Sequence, residues 1–517
     1  MKRFILFILF FVPVIQAGIT GKLAGRVTDA ITGEPLIAAT IIVEGTKLGA
    51  STDTDGRFVI LNVPPGVYKV KITYVGYEHL AFEGVKIVVD QTTTIDFKLK
   101  PATMTTDEVI VTANTPLIQK DLTSSISVVG RDEIELLPVA NFTDLLSLQA
   151  GVVGSGQNLH IRGGRSNEVA YMIDGMYVTD PLLGGLATQI NNDAIQEMSL
   201  LSGTFNAEYG NALSGIVNIV TRDGAEKFSG KLEVRSSNFG IERYSKLNEL
   251  RITGSIEGAL IPNALRFFLS GEQLNEGSYL PFGYNNAQSF FTKLTLTAIP
   301  GFRLTLSNRG NRGLRQSYDH LYKYIPEQYL KRRTDSWQTA LAATHTVSQS
   351  FFYDVRFSYF NQGFYSGLDK DTSQYLPVSS RVYLPDRGNG FEFYALADPA
   401  VLTDSRTSTL DFKGDAVWQI DNTNEVKFGA QFKTHNLMLY SIEDPKRNFP
   451  YVNNYTTSPF EIATYVQDKI ELSYMVINLG LRYDFMNANV EFRANPLDPN
   501  SIIKVKSRSQ FSPRIGI

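Results

Sequence analysis

Four kinds of apolar–polar pattern follow one another along the chain. The first is a short unbroken run in which Lys2 and Arg3 lead into Phe4–Val12, followed by Pro13 and Ala17. A basic start and an apolar core, too short for the ~20 residues of a membrane helix, predict a secretory signal over residues 1–17. Ile15 departs from that pattern, where a small residue is more usual. The second pattern, residues 18–100, is a series of short alternating stretches (KLAGRVT, ATIIVEG, RFVIL, YKVKITYVG, VKIVV, TTIDFKL). Turn clusters such as Thr32-Gly33-Glu34-Pro35 and Pro64-Pro65-Gly66 separate them. Short strands at regular turn spacing predict a small β-sandwich. In YKVKITYVG, Tyr68, Val70, Ile72 and Tyr74 fall on one face and Lys69, Lys71 and Thr73 on the other, giving one buried and one wet face.

Residues 101–116 form a junction. Pro101 to Thr106 is polar and predicts a linker, and DEVIVTA follows at Asp107–Ala113. The third pattern, residues 117–224, mixes periods and predicts an α+β domain. Asn141 is placed to cap a helix carrying Asp144 in its first turn, with Gly151 ending it. Asp174-Gly175 lies between two apolar stretches, a strong hairpin signal. A second helix is predicted over about Asp193 to Leu200, leading into GIVNIVTRDG.

The fourth pattern, residues 225–517, consists of long alternations: LEVRSS, RFFLSGEQ, FTKLTLTA, FRLTLSN, FYDVRFSYF, EVKFGAQFKTH, ATYVQDKIEL and VINLGLRYDF. In the last, Ile477, Leu479, Leu481, Tyr483 and Phe485 face one way, and Asn478, Gly480, Arg482 and Asp484 the other. Transmembrane β-strands need about 9–11 residues, apolar toward lipid and polar toward the lumen. Ser307–Trp337 and Gly363–Arg406 are long and polar and are predicted as external loops. A soluble sandwich alternates in the same way, with shorter strands and loops, so the lengths favour a membrane barrel. The fold class predicted is mainly β: a small β-sandwich, an α+β domain and part of an antiparallel transmembrane β-barrel.

Composition narrows the chemistry. Mean hydropathy is −0.10, far too polar for a bundle of membrane helices. The 25 Tyr and 32 Phe suit the aromatic girdles of an outer-membrane barrel and an aromatic-rich soluble β-protein equally. A net charge of −3 argues against a general nucleic-acid binder. The absence of Cys excludes disulfides, thiolate metal sites and Cys nucleophiles. His79, His160, His320, His345 and His435 lack the spacing of a zinc peptidase. Neither a G-x-S-x-G elbow nor a phosphate loop is present. Ser51–Gly56 looks superficially like a calcium loop, but Ser51 and Asn62 occupy positions that need acids, and a polar hairpin turn is predicted. No enzyme, metal or cofactor is predicted.

The order of parts resembles the TonB-dependent outer-membrane receptors that carry an N-terminal carboxypeptidase-regulatory-like domain. GRVTDAITGEPLIAATIIVEGTKLGASTDTDGRFVILNVPPGVYKVKITYVGY resembles that extension. DEVIVTA resembles a TonB box, comprising Asp107, Glu108, Val109, Ile110, Val111, Thr112 and Ala113. LHIRGG (Leu159–Gly164), YMIDGM and NAEYGNALSGIVNIVTRD resemble the plug, and ATYVQDK and FSPRIG resemble barrel segments. The resemblance implies a plug inside the barrel and a ligand bound at the external face. It further implies that the periplasmic protein TonB pairs with the box and pulls, so that a small-molecule or oligomeric nutrient passes the outer membrane. It makes outer-membrane lipid a partner. Family barrels of this type have about 22 strands, whereas roughly ten to twelve are recognisable here. SPRIGI ends inside an alternating run. A fragment or truncated product is therefore expected.

Each candidate site carries two readings. The β-branched Val109–Thr112 favours an extended chain able to add to a partner's sheet edge, or to serve as the plug's first strand. Arg162-Gly163-Gly164 is a structural turn, or Arg162 joins an ion-pair network at the plug–barrel wall, where buried charge needs a partner. Asp174-Gly175 is predicted as a tight turn, with Asn218 and Thr221 structural. The aromatic loops Tyr318–Tyr329 and Tyr375–Tyr394 suit ligand contact, but no ligand-binding residue is assigned. Uptake is the principal function predicted. The alternatives are a ligand-sensing or binding surface receptor, a non-functional truncated receptor, and an extracellular enzyme bearing the sandwich as an accessory.

Overall fold

The computed structural model describes residues 19–102, 109–112, 125–139, 141–155, 158–238, 240, 248–368, 372–384, 393–472, 474–495 and 497–517. The predicted signal at 1–17, with Asp107, Glu108 and Ala113, lies outside the described residues.

Nearly every long alternation pairs with its neighbours in one antiparallel sheet. Its order is the chain order: Ser229–Ser236, Leu250–Ile261, Leu265–Gly277, Tyr284–Leu296, Phe302–Gln316, Lys331–Ser348, Phe351–Gly367, Val401–Gln419, Asn424–Glu443, Phe460–Glu471, Val476–Asn487 and Arg508–Gly516, with Tyr451–Thr457 added beside Asn424–Glu443. Two facing sheets, the soluble alternative, are not what these strands make. Polarity is inverted relative to a soluble protein. Asn478 and Arg482 are buried while Leu479 and Leu481, between them, are exposed. Along the sheet Lys293, Arg309, Gln338, Arg356, Asp415 and Gln431 are buried, and Leu294, Trp337, Phe357, Phe412, Trp418 and Val466 face out. That is a barrel wall with a lipid-type exterior and a polar lumen.

The sheet curls around residues 125–221. Plug-side groups meet strands from Leu250–Ile261 (Arg222 to Glu257) through to Arg508–Gly516 (Arg514 to the Phe205 carbonyl). The enclosed domain has a five-stranded sheet, ordered Ser125–Gly130, Ile195–Ser202, Gly215–Thr221, Val169–Ile173, Met176–Tyr177. Its core takes in Phe268 and Phe291 from the wall. Helix Phe142–Ser147 starts where predicted, the Asp144 carboxylate accepting from the Asn141 amide at 3.1 Å. The helix predicted over Asp193–Leu200 is instead a short 3-10 turn, Asn192–Ala194, followed by strand Ile195–Ser202. All of that strand except Gln196 is buried between two paired neighbours. A strand covered on both faces loses the alternation that separates it from a buried helix.

The predicted external loops are shorter than their sequence implied. Phe302–Gln316 and Lys331–Ser348 take up most of Ser307–Trp337, and strands also run to Gly367 and from Val401. Only about 9–11 residues are needed to cross lipid. Beyond that height the strand end Lys331–Asp335 is polar on both faces, whereas Tyr365, Leu402 and Ile442 pack into a buried apolar cluster. Turns at one rim are short (349–350, 420–423, 472–475) and loops at the other long (317–330, 368–400), which marks the periplasmic and external sides.

The N-terminal sandwich has two sheets around a core of Leu23, Val27, Ile41, Val70, Ile72 and Phe97. Ser51–Gly56 is not a hairpin turn. It carries the chain from Gly49–Ser51 in one sheet to Arg57–Val63 in the other, with the Asp53 carboxylate accepting from the Asp55 and Arg57 amides.

A cation on the outer face should be costly by depth. Leu481→Arg, mid-strand, is expected to lower stability in lipid vesicles by about 2–4 kcal/mol, and Met486→Arg, near the strand end, by about 0–1 kcal/mol. Urea unfolding measures both, and equal costs would contradict a lipid-facing wall.

Candidate functional site

The seam between plug and wall begins at Asp174-Gly175. Both residues take left-handed backbone, φ 49° and 73°, as a two-residue type I′ turn requires, joining Val169–Ile173 to Met176–Tyr177. The Asp174 carboxylate accepts from the Thr221 amide (2.9 Å) and hydroxyl (2.6 Å). Lys293, on the wall, places its Nζ 3.4 Å from Asp174 and 2.9 Å from Asp223, and Arg303 also pairs with Asp223. Burial alone would raise the Asp174 carboxyl, but Lys293 and the Thr221 hydrogen bonds outweigh it and hold it below the usual carboxylate range. Gly175 lies against the buried Arg356 guanidinium so closely that a Cβ there would overlap it.

Further round the lumen, two wall arginines hold plug backbone. Arg482 donates to the Ala207 and Glu208 carbonyls (3.2 and 3.3 Å), and Arg514 to those of Phe205 and Asn206 (3.2 and 2.6 Å). The Ala207 amide donates to Gln467 at 2.8 Å. Higher up, the Gln362 amide donates to Asp180 at 2.8 Å.

The sandwich closes against the short-turn rim. Lys22 reaches Glu425 (2.9 Å) and Glu471 (2.8 Å), and Lys47 donates to the Thr297 carbonyl (2.7 Å). Leu61 packs with Phe352 and Val417. Against the plug, the Tyr209 hydroxyl donates to Asp90 (2.6 Å), and the Val89 amide to Glu197 (3.1 Å). Burial pushes the Glu197 carboxyl up to about 7, with the Val89 amide and Lys86 opposing.

The candidate residues fall into separate places. Val109–Thr112 is neither a free strand nor the plug's first strand. It pairs in parallel with Leu80–Ile87 as the edge of a sandwich sheet. Arg162-Gly163-Gly164 is a tight turn after Asn158–Ile161, with Arg162 and Gly163 at φ 49° and 79°. Arg162 is exposed and makes no ion pair among the described residues. The charge network forms around Asp174, with Thr221 as its hydrogen-bond donor. Asn218 is buried mid-strand. The two aromatic loops come together on the long-loop side. Tyr322 and Tyr383 pack on Tyr394 (4.8 and 4.7 Å between ring centres), and Lys323 sits 4.4 Å over Phe393. Sequence reasoning missed Lys293, Asp223, Arg356 and Lys22. For Lys293 and Arg356 the one signal is a charge at an inward position of an alternating strand, which looks like any solvated residue until the lumen is known to be filled. Asp223, just past Gly215–Thr221, and Lys22, on a sandwich strand, carry no such signal. Among the described residues no cluster could hold a metal ion.

A lipid-type barrel whose lumen is filled by a separately folded, ion-paired domain is a plugged outer-membrane barrel. The family comparisons agree region by region. Residues 22–100 match the carboxypeptidase regulatory-like domain, 118–216 the TonB-dependent receptor plug domain, and 266–517 the TonB-dependent receptor-like β-barrel. The chain is 26% identical over 230 residues to the TonB-dependent transporter Oar of Myxococcus xanthus, covering 41% of this chain and 21% of Oar. It is 29% identical over 218 residues to the TonB-dependent receptor SusC of Bacteroides thetaiotaomicron, covering 39% and 21%. In fold it is similar to the ferripyoverdine receptor of Pseudomonas aeruginosa (TM-score 0.56, 13% identity, 76% of this chain and 55% of that one). It is also similar to the ferric yersiniabactin uptake receptor FyuA of Yersinia pestis (TM-score 0.55, 15% identity, 76% and 61%). The chain belongs to the TonB-dependent receptors, a family of outer-membrane barrels that transport rather than catalyse. The matched stretches span about a fifth of these curated relatives and under two thirds of these solved chains.

Two outcomes follow from the seam. Lys293→Met leaves Asp174 and Asp223 buried without their shared ammonium, and should destabilise the seated plug by about 3–5 kcal/mol in urea melts. Adding Asp174→Asn should recover part of the loss. The second concerns pH. Between the ordinary carboxyl range and about 7, docked Glu197 holds a proton that an undocked, solvated carboxyl releases. Docking of the sandwich therefore weakens as pH rises through that window. Protection of the sandwich amides, taken relative to the intrinsic base-catalysed exchange rate at each pH, should be lower at pH 8 than at pH 5.5, and Glu197→Gln should remove the difference.

Proposed function

We propose that this chain forms the N-terminal part of a receptor that takes up a ligand across the outer membrane of a Gram-negative-type bacterium, using energy delivered by TonB. The observation that carries this reading is the buried seam. A domain that fills the lumen blocks passage, and one held by ion pairs and side-chain-to-backbone hydrogen bonds can be displaced by force without breaking the wall. In this reading residues 1–17 are the export signal, 18–100 the accessory sandwich, 101–116 the linker with its TonB box, 117–224 the plug and 225–517 the first part of the barrel. Asp107 to Ala113 is the segment TonB grips. The aromatic loops on the long-loop side face the ligand.

The ligand is a small-molecule or oligomeric nutrient. Relatives carry names as unlike as vitamin B12 transporter, in Vibrio vulnificus, and ferric yersiniabactin receptor. Uptake rather than any one ligand is what they share.

The test uses cells carrying the full-length receptor and a panel of labelled cobalamin, ferric chelates and oligosaccharides. Deleting residues 107–113, or TonB itself, should abolish accumulation of the recognised compound and leave its surface binding intact. Accumulation that persists without TonB, or binding with no accumulation in any strain, would mark a passive or sensing receptor instead.

A further inference from the structure

The turn that joins strand Leu80–Ile87 to Thr92–Thr94 of the sandwich is buried at its tip. Val88 and Val89 are each 4% exposed, whereas a connecting turn on a free domain lies at the surface. Its shape is fixed from within the sandwich. Asp90 takes left-handed backbone, φ 57°, its amide donates to the Thr20 carbonyl at 3.0 Å, and the Lys22 amide donates to the Gln91 carbonyl at 3.0 Å. Its outward groups meet two other parts of the molecule at once. On the plug they meet Glu197, through the Val89 amide, and the Tyr209 hydroxyl, through the Asp90 carboxylate. On the wall, Lys427 places its Nζ 3.3 Å from Asp90, and the Thr92 hydroxyl donates to Glu471 at 2.9 Å. Lys427 also lies 3.8 Å from Glu208, the plug residue next to Tyr209. One wall ammonium thus faces a carboxylate of the sandwich and a carboxylate of the plug.

The plug segment Phe205–Tyr209 is therefore held from two sides. Arg482, Arg514 and Gln467 of the wall hold its backbone, and the sandwich turn closes over its end at Tyr209. We propose that the turn Val88–Gln91 is a lock on the plug. It couples docking of the sandwich to seating of Phe205–Tyr209, so that the sandwich must leave the rim before that side of the plug is free to move. The physical link is exclusion of water. Glu208 and Tyr209 are both 3% exposed, and a charge pair out of water is worth far more than the same pair in it. When the sandwich withdraws, the Tyr209 hydroxyl loses its acceptor and water reaches the Lys427–Glu208 pair, which weakens the plug's hold on the wall. The coupling is reciprocal: a plug that has moved offers Asp90 no hydroxyl and leaves the sandwich looser at the rim. The chain between residues 100 and 125 joins the two bodies, so a pull on it loads the lock and the plug together.

Two backbone amides report the two events. The Val89 amide, bonded across to Glu197, reports docking, and the Ala207 amide, bonded across to Gln467, reports seating. Both are followed by amide exchange at one pH in the full-length receptor in lipid vesicles. Neither ligand nor TonB is present, so the outcome stands apart from that of the uptake test. Lys22→Glu sets a carboxylate against Glu425 and Glu471, and the polar partners of Lys22 all lie on the wall. It should lower protection at Val89 and Ala207 together, at Ala207 by at least about fivefold. The chain has no Cys, so Lys47→Cys and Thr297→Cys, bridged by a short bismaleimide at another part of the rim, should pin the sandwich in the Lys22→Glu protein and restore both. Asp90→Ala removes the lock's contact while Lys22 still docks the sandwich, and should lower protection at Ala207 as well. Tyr209→Phe deletes one hydroxyl from the plug and should lower protection at Val89. Loss of protection at Val89 in Lys22→Glu with Ala207 unchanged, or a bridge that leaves Ala207 unprotected, would overturn the proposal. So would unchanged protection at Ala207 in Asp90→Ala, or at Val89 in Tyr209→Phe.

Discussion

A buried charge needs a partner, and the arrangement of this molecule follows from where the partners are found. The wall strands turn their polar residues inward because their other face meets acyl chains. That choice buries Lys293, Arg356, Arg482 and Lys427 on the lumen side, with Arg303 partly buried beside them. An isolated charge there costs far more than one at a wet surface. The enclosed domain supplies the answer in two forms: carboxylates at Asp174 and Asp223, and backbone carbonyls at Phe205–Glu208. Plug and wall are thus halves of one electrostatic unit, each badly solvated without the other. Seating is strong, yet it is made of contacts that water can replace one at a time, which suits a stopper that has to move.

Much of this was legible in the residues. The barrel announced itself through strand-long alternation, and VINLGLRYDF gave the correct inner and outer faces. The sandwich was legible for the same reason, with Val70 and Ile72 in its core. The failures share a cause. Ile195–Ser202 was mistaken for helix because burial on both faces erases the period-two signal. The strand end Lys331–Asp335 was mistaken for loop because polar residues on both of its faces erase it too. Alternation reports a difference between two environments, and it falls silent wherever the two become alike.

The site was less legible than the fold. Asp174-Gly175 was recognised as a turn from local chemistry. Its carboxylate's partnership with Lys293, more than a hundred residues away, has no local signature. Arg162, open to both a structural-turn and a wall-network reading, sits exposed in its turn, and the plug meets the wall's cations through Asp174 and Asp223 instead. The linker strand is a further case. Its β-branched residues predicted an extended chain correctly, but which sheet it joins depends on Ala102 being tied to Gly76, a tertiary fact.

The contact between Gly175 and Arg356 differs in kind from the ion pairs around it. The left-handed turn at Gly175 presents bare backbone to the guanidinium, and a Cβ there would overlap it. The arginine stem is as long as those around it and can follow the turn, so this contact governs how deeply the hairpin tip seats rather than how hard it is held. Any side chain at that position would act as a spacer between stopper and wall.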